Sequence, residues 1–342
     1  MAGQKLLVTG GMGFIGSNFI LHMLENDSNC SITNVDALTY AGNPHNLEGI
    51  ANHPRYRFVK LDLCDHKKLE AEMASGYDAV IHFAAESHVD RSISDPGIFV
   101  RTNVLGTHHL LHAAIKYQVG RFVHVSTDEV YGTLGPDGLF TEQSPLAPNS
   151  PYSASKAGSD LLARAAYHTY GLPVMVTRCS NNYGPLQYPE KLIPTLITRA
   201  LENKPVPIYG DGLNIRDWLH VKDHCRAVQL VLERGTPGEV YNIGGSNEHT
   251  NLDVARSVLR ILGKQESLLT YVNDRLGHDR RYAIDASRIT QELGWKPEQE
   301  WESGLRDTVE WYSHHRLWWQ PLLRAGERKR RGNGVKRDDG TS

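Results

Sequence analysis

Short apolar runs and longer segments of helical period alternate through the first half of the chain. KLLVT (5–9), ITNVD (32–36), YRFVKLD (56–62), DAVIHFA (78–84), RFVHVS (121–126) and PVMVTR (173–178) predict buried strands. Between such runs, residues 14–25, 98–117 and 153–170 carry apolar positions at helical spacing. Strands that alternate with helices imply a parallel sheet covered on both faces. Beyond about residue 180 the pattern loosens, and Pro, Gly and Tyr punctuate NNYGPLQYPEKLIP and KPVPIYGDG. This predicts a smaller second domain interleaved with the first. Residues 1–180 would form the first domain, with segments returning from about 210–245, and 181–322 mainly the second. The end of the chain, RAGERKRRGNGVKRDDGTS, is basic and polar, so 323–342 is expected to be a disordered tail.

Composition narrows the classes. The chain has 342 residues, 40% hydrophobic and 22% charged, the balance of a soluble globular protein. A net charge of -2 gives no general case for nucleic-acid or membrane partners. No stretch reaches the roughly 20 apolar residues that span a bilayer, and MAGQKLLVTGG lacks the apolar length of a signal peptide. Cys30, Cys64, Cys179 and Cys225 lie far apart without a CxxC pair, as expected of reduced thiols in the cytoplasm. The histidines include no HExxH. His108, His109 and His112 on one expected helix read as surface, so no metal is expected.

TGGMGFIGS follows the first strand and opens a helix. Gly10, Gly13 and Gly16 permit a tight turn and a close approach to a pyrophosphate, and the helix N-terminus favours its charge. Three glycines alone are weak evidence; the strand before and the helix after them give the context. Asp36 ends the second strand, where a carboxylate bonds ribose hydroxyls and repels a 2′-phosphate, so NAD is favoured over NADP. The ordinary alternative for Asp36 is a cap or turn. Asp62 closes the third strand and suits the adenine edge. FAAES (83–87) closes the fourth with small residues that would let the backbone approach a cofactor.

PYSASKAGSD places Tyr152 and Lys156 one helical turn apart on one face. A nearby ammonium favours the phenolate, lowering the tyrosine pKa from about 10. That phenolate can take a proton from a hydroxyl as hydride leaves the same carbon. On its own the spacing equally describes a surface pair. HVSTDEVYG (124–132) adds two adjacent carboxylates, Asp128 and Glu129, after an apolar run. Such a pair is usually a solvated turn, and hydride transfer alone has no use for it.

TGGMGFIG, Asp36, AAESHVDRS, Ser126 and YSASK together resemble the extended short-chain dehydrogenase/reductase family. STDEVYG, RCSNNYGP, EKLIP, PIYGDGLNIRDWLHV, YNIGG, RLGHDRRYAID and LGWKP carry the likeness over residues 4–320, to the members that dehydrate the sugar nucleotide dTDP-glucose. The resemblance implies a Rossmann-type doubly wound α/β fold with a smaller, interleaved C-terminal α/β substrate domain. It implies a tightly bound, recycled NAD held by Gly10, Gly13, Phe14, Ile15, Gly16, Asp36, Asp62, Leu63, Ala84, Ala85, Thr102, Ser126, Tyr152, Lys156 and Asn182. The implied reaction oxidises C4 of the hexose, removes the C5 proton, expels the C6 hydroxyl as water and returns hydride to C6. This is a step toward deoxysugars such as rhamnose.

One acid and one base then explain the adjacent carboxylates. The resemblance makes Asp128 the acid for the C6 hydroxyl and Glu129 the C5 base, with Thr127 near the C4 oxygen. A regular strand would turn Asp128 away from Thr127 and Glu129, so the chain must leave strand geometry there. Ser87, Asn181, Lys191, Leu192, Arg216, Asn251, Arg275, His278, Arg281 and Tyr282 are implied to hold the sugar nucleotide, with Pro207 and Tyr209 near its base. A homodimer through helices 98–117 and 153–170 is expected, on Leu105, Leu110, Leu161 and Leu162. The 133–142 segment is short, so a lid over the pocket would differ from longer relatives, and the basic tail has no counterpart. Rival readings are a dehydratase of another nucleotide sugar, a sugar-nucleotide 4-epimerase, which has no use for the acid–base pair, and a catalytically silent NAD sensor or scaffold.

Overall fold

A computed structural model describes residues 3–332. The strands are β1 (Gln4–Thr9), β2 (Cys30–Asp36), β3 (Tyr56–Lys60), β4 (Ala79–His82), β5 (Arg121–Thr127), β6 (Val174–Cys179), β7 (Asn181–Tyr183), β8 (Val206–Tyr209), β9 (Ile215–His220), β10 (Val240–Ile243), β11 (Glu248–Thr250) and β12 (Leu269–Val272). Seven of them form one parallel sheet in the order β10-β6-β5-β4-β1-β2-β3. The order reverses beside β1, so the loops after β1 and β4 frame a crevice at the strands' carboxyl ends.

Side chains alternate across this sheet as its pleat requires. Leu6 and Val8 enter one core with Phe19, Ile20, Met23, Val228 and Val231, under the helices Phe14–Asn26 and Val221–Arg234. Leu7 enters the other with Val80, Phe122, Leu110 and Ala163, under the helices Thr107–Lys116 and Pro151–Tyr170. Both faces are covered, which explains the near-continuous apolar runs. β3 differs from its expectation. It is the sheet edge, and its residues are half-buried or exposed.

The second lobe is built on a three-stranded sheet, β11-β9-β7, and a parallel pair, β12-β8. Its core gathers Ile193, Ile197, Ile208, Trp218, Val258, Trp301, Leu305 and Trp319. The interleaving is closer than the sequence suggests. β9 belongs to this lobe, whereas Val221–Arg234, β10 and Ser287–Leu293 return to the large sheet's core. Two expectations need correction. Residues 98–117 are not one regular helix, because Val100–Gly106 widens into a π-helix before Thr107–Lys116. Of the basic tail, 323–332 belongs to the helix Arg316–Gly332, anchored through Trp319 in the second core; 333–342 lies outside the described residues. Among the described residues no helix is long and apolar enough to cross a membrane.

Candidate active site

The glycine loop is packed so tightly that only glycine fits. A Cβ on Gly10, where φ is +73°, would lie 2.6 Å from the Ala84 backbone, and one on Gly16 would lie 2.4 Å from the Gly10 carbonyl oxygen. Phe14 and Ile15 open the helix beyond it. The loop is tied to the next strand by Asp36, whose carboxylate accepts from the Met12 amide (2.9 Å) and the Leu38 amide (2.8 Å). Burial pushes the Asp36 carboxyl up, and these two bonds oppose it. Ala84 and Ala85 line the facing loop, with Thr102 half-buried on the π-helix. His224 donates from its ring Nδ1 to Asn182 Oδ1 at 2.9 Å. Leu63 is buried, while Asp62 is half-exposed and ion-paired to Arg101 at 2.9 Å. The close-packed glycines and the carboxylate at the end of β2 fit a dinucleotide.

Beside this crevice β5 ends at Thr127. Asp128–Tyr131 forms a 3-10 turn, capped by Thr127 Oγ1, which accepts from the Glu129 amide at 3.3 Å. The chain therefore leaves strand geometry at Asp128, as the chemistry demands. Thr127, Asp128 and Glu129 all act on one phenol, that of Tyr152. The helix carrying Tyr152 begins at a capping box formed by Ser150 and Ser153. Lys156, one turn on, is buried and donates to the Val125 carbonyl at 2.8 Å.

Electrostatics separate the two carboxyls. Burial pushes Asp128 well above the carboxylate range, and the charges of Glu129 and Asp217 push it further. Its Oδ2 is buried without a hydrogen-bond partner among the described residues. Glu129 is also raised by burial, but Lys191, Arg216 and Arg275 all oppose that shift. Both carboxyls are thus raised, Asp128 the further, with Arg216 opposing the shift at each and Lys191 and Arg275 opposing it at Glu129. The expected lowering of the Tyr152 pKa is not found. Burial raises the phenol well above its ordinary value, Glu129 and Cys179 add to this, and the Lys156 ammonium is turned to a carbonyl. Cys179 lies at the end of β6, its thiol pushed up to about 12 by burial, which leaves it a small apolar neighbour and not a nucleophile.

The second lobe supplies cations. Lys191 donates to the Ser87 carbonyl at 2.7 Å and precedes Leu192, the first residue of its helix. Arg216, on β9, lies over the Tyr282 ring at 4.3 Å and donates to the Asp279 carbonyl at 2.9 Å. Arg275 is 5.6 Å from the centre of the Tyr209 ring and pairs with Asp90. Tyr209 and Pro207 lie on β8. Asn181 and Asn251 each hold a buried carbonyl oxygen without a partner among the described residues. Two expected residues are otherwise engaged: His278 with Asp274 at 2.7 Å, and Arg281 with Glu248 at 2.6 Å and the Gly138 carbonyl at 2.9 Å. Asp217 and Asp279 were not singled out by sequence. The signal for Asp217 was an acid inside the apolar strand IRDWLHV, and its carboxylate accepts from the amides of Gly245 and Asn247.

A parallel sheet with a glycine-loop crevice and a buried tyrosine–lysine helix defines a nicotinamide-dependent member of the extended short-chain dehydrogenase/reductase class. Residues 7–308 match the family described as GDP-mannose 4,6 dehydratase. A dTDP-glucose 4,6-dehydratase of Neisseria meningitidis is 51% identical, covering 97% of this chain and 99% of that protein. A solved dTDP-glucose 4,6-dehydratase from Streptomyces venezuelae, with NAD bound, is 52% identical, with a TM-score of 0.91 over 93% of this chain and 100% of that one. A UDP-glucose 4-epimerase from Thermotoga maritima is 31% identical, with a TM-score of 0.85 over 91% of this chain and 99% of that one. The chain belongs to the dTDP-glucose 4,6-dehydratase family.

Proposed function

We propose that the protein converts dTDP-glucose to dTDP-4-keto-6-deoxy-glucose and water, a step in deoxysugar biosynthesis. The observation that carries this reading is the adjacent carboxyl pair, buried Asp128 and half-buried Glu129, both acting on the phenol that hydride chemistry needs. NAD, when bound, supplies the acceptor for the C4 hydride and the donor that returns it to C6. Tyr152, beside Thr127, takes the C4 hydroxyl proton as the phenolate, which the positive nicotinamide ring would favour against the burial that raises the free phenol. The C4 ketone so formed acidifies the C5 hydrogen. Glu129, facing three cations, removes it as base. Asp128, its carboxyl raised by burial, delivers its proton to the C6 hydroxyl, which leaves as water, and as hydride returns to C6 the Glu129 carboxyl gives a proton back to C5.

Lys191, Arg216 and Arg275 offer positive charge to the substrate's diphosphate. Tyr209 offers a flat face to its base. The protein acts as a cytoplasmic homodimer on this reading. The apolar face offered is Val100, Leu105 and Leu161, which are 56%, 42% and 57% exposed. Leu110 is fully buried and Leu162 packs against the second face's core, so those two expected interface residues serve the fold instead.

The test is to mix the purified protein with dTDP-glucose, without added NAD, and follow the sugar nucleotide by mass spectrometry. Loss of one water is expected, since the cofactor is regenerated in each cycle. An unchanged mass with a galactose-type product would favour a 4-epimerase. No change even with added NAD would reject dTDP-glucose as substrate.

A further inference from the structure

Behind the site lies a buried polar chain that none of the chemistry above uses. Asp160 stands one helical turn after Lys156. Its Oδ2 accepts from Arg178 Nε at 2.8 Å, and both residues are at most 1% exposed. Arg178, on β6, donates from Nη1 to the Tyr131 hydroxyl at 2.9 Å and lies over the Tyr131 ring at 4.9 Å. The Tyr131 hydroxyl donates to Asn242 Oδ1 on β10 at 2.7 Å. Asn242 then donates from Nδ2 to the Phe140 carbonyl at 3.1 Å and from its amide to Glu142 at 2.9 Å. His124 completes the setting, with Nε2 3.3 Å from the other Asp160 oxygen.

Tyr131 is the last residue of the four-residue turn that begins with Asp128 and Glu129. Such 3-10 turns have poor hydrogen-bond geometry and little stiffness of their own. Here the local bonds are long. The Thr127 cap and the closing bond from the Gly132 amide to the Glu129 carbonyl both measure 3.3 Å. Tyr152 and Lys156, by contrast, ride on a capped 20-residue helix. The acid and base therefore need an external tether, whereas the phenol and ammonium do not.

We propose that Asp160, Arg178 and Tyr131 form a positioning brace that registers the Asp128–Glu129 turn against the catalytic helix, so that elimination, more than C4 oxidation, depends on it. The inference rests on the dehydratase reading. The brace also holds Phe140 and Glu142, so it ties the short 133–142 segment to the same frame; the Tyr131 and Phe140 rings stack at 5.0 Å. Removing either charge of the Asp160–Arg178 pair would leave the other buried alone. Tyr131→Phe is the cleaner probe, because it deletes one hydroxyl and keeps the ring. Arg178→Lys is the second, since it keeps the charge and loses the fork.

The experiment compares wild type, Tyr131→Phe and Arg178→Lys on dTDP-glucose by quenched-flow mass spectrometry in deuterated water, with thermal melting as the check on folding. The expected result is that oxidised but undehydrated sugar nucleotide accumulates in the variants. Dehydration and deuterium incorporation at C5 should fall by at least about tenfold, while C4 oxidation stays within about twofold, as expected for misplaced reacting groups. Equal loss of both steps in a folded variant, or no loss of either, would overturn the brace. A wild type that oxidises or dehydrates no sugar nucleotide would overturn the dehydratase reading, and the brace with it.

Discussion

Asp128 and Glu129 share a peptide bond but not an environment. Asp128 faces the carboxylates of Glu129 and Asp217 with Arg216 opposing them, and Glu129 faces Lys191, Arg216 and Arg275 with Asp279 opposing those. This makes Asp128 costly to the folded state. Its folded pKa is raised from 3.8, so its contribution to stability is fully present below that pH and is lost as pH rises toward the raised value. Asp128→Asn removes the loss. Its melting temperature should match wild type in acid and exceed it increasingly toward neutral pH, while kcat falls about 10²–10⁴-fold, the usual worth of a general acid. Calorimetry over a pH series, run beside the activity assay, checks both. At this scale the side chains singled out in the sequence lie near one another, since Thr127, Asp128 and Glu129 all influence the Tyr152 phenol. It mispredicted the direction of the Tyr152 shift. Spacing shows that a lysine is one turn away; it does not show where its ammonium points or how dry the phenol is.

Among the elements, the glycine loop was the most legible, because its need for missing side chains is written as missing side chains. Gly16→Ala places a methyl group 2.4 Å from the Gly10 carbonyl oxygen and 2.8 Å from Gly11 Cα, both backbone. The variant should keep its circular-dichroism spectrum and lose NAD affinity by at least about tenfold, since shifts of an ångström at a tight contact carry that cost. Equilibrium dialysis against labelled NAD measures it. The π-helix at Val100–Gly106 was not legible. Its widened turn lets Asn103 bond the Glu86 amide and carbonyl and the Ser155 hydroxyl at 2.8, 3.0 and 2.8 Å. That geometry is set by partners distant in sequence, and the apolar period of 98–117 carries no trace of it. β3 was read as buried for a similar reason, because strand composition does not say which strand ends the sheet.

For the whole molecule, the exposed face of Val100, Leu105 and Leu161 leads to an expectation about assembly. Leu161→Arg should convert a homodimer to monomer at micromolar concentration in sedimentation velocity, because a buried guanidinium on an apolar face lacks a partner. A wild type that sediments as monomer would remove the dimer reading. Chain order hid the way the lobes interleave. The Val221–Arg234 helix and β10 leave the second lobe to complete the first, and Ser287–Leu293 does so again. By itself the sequence determined the alternating architecture, the glycine loop and the candidates for the reacting side chains, since these depend on period, on local spacing and on residue chemistry. Only the tertiary structure decided which carboxyl is raised further, how Arg178 and Asp160 stand behind the turn, and which leucines face outward. Each of those depends on burial and on charges brought together from remote parts of the chain.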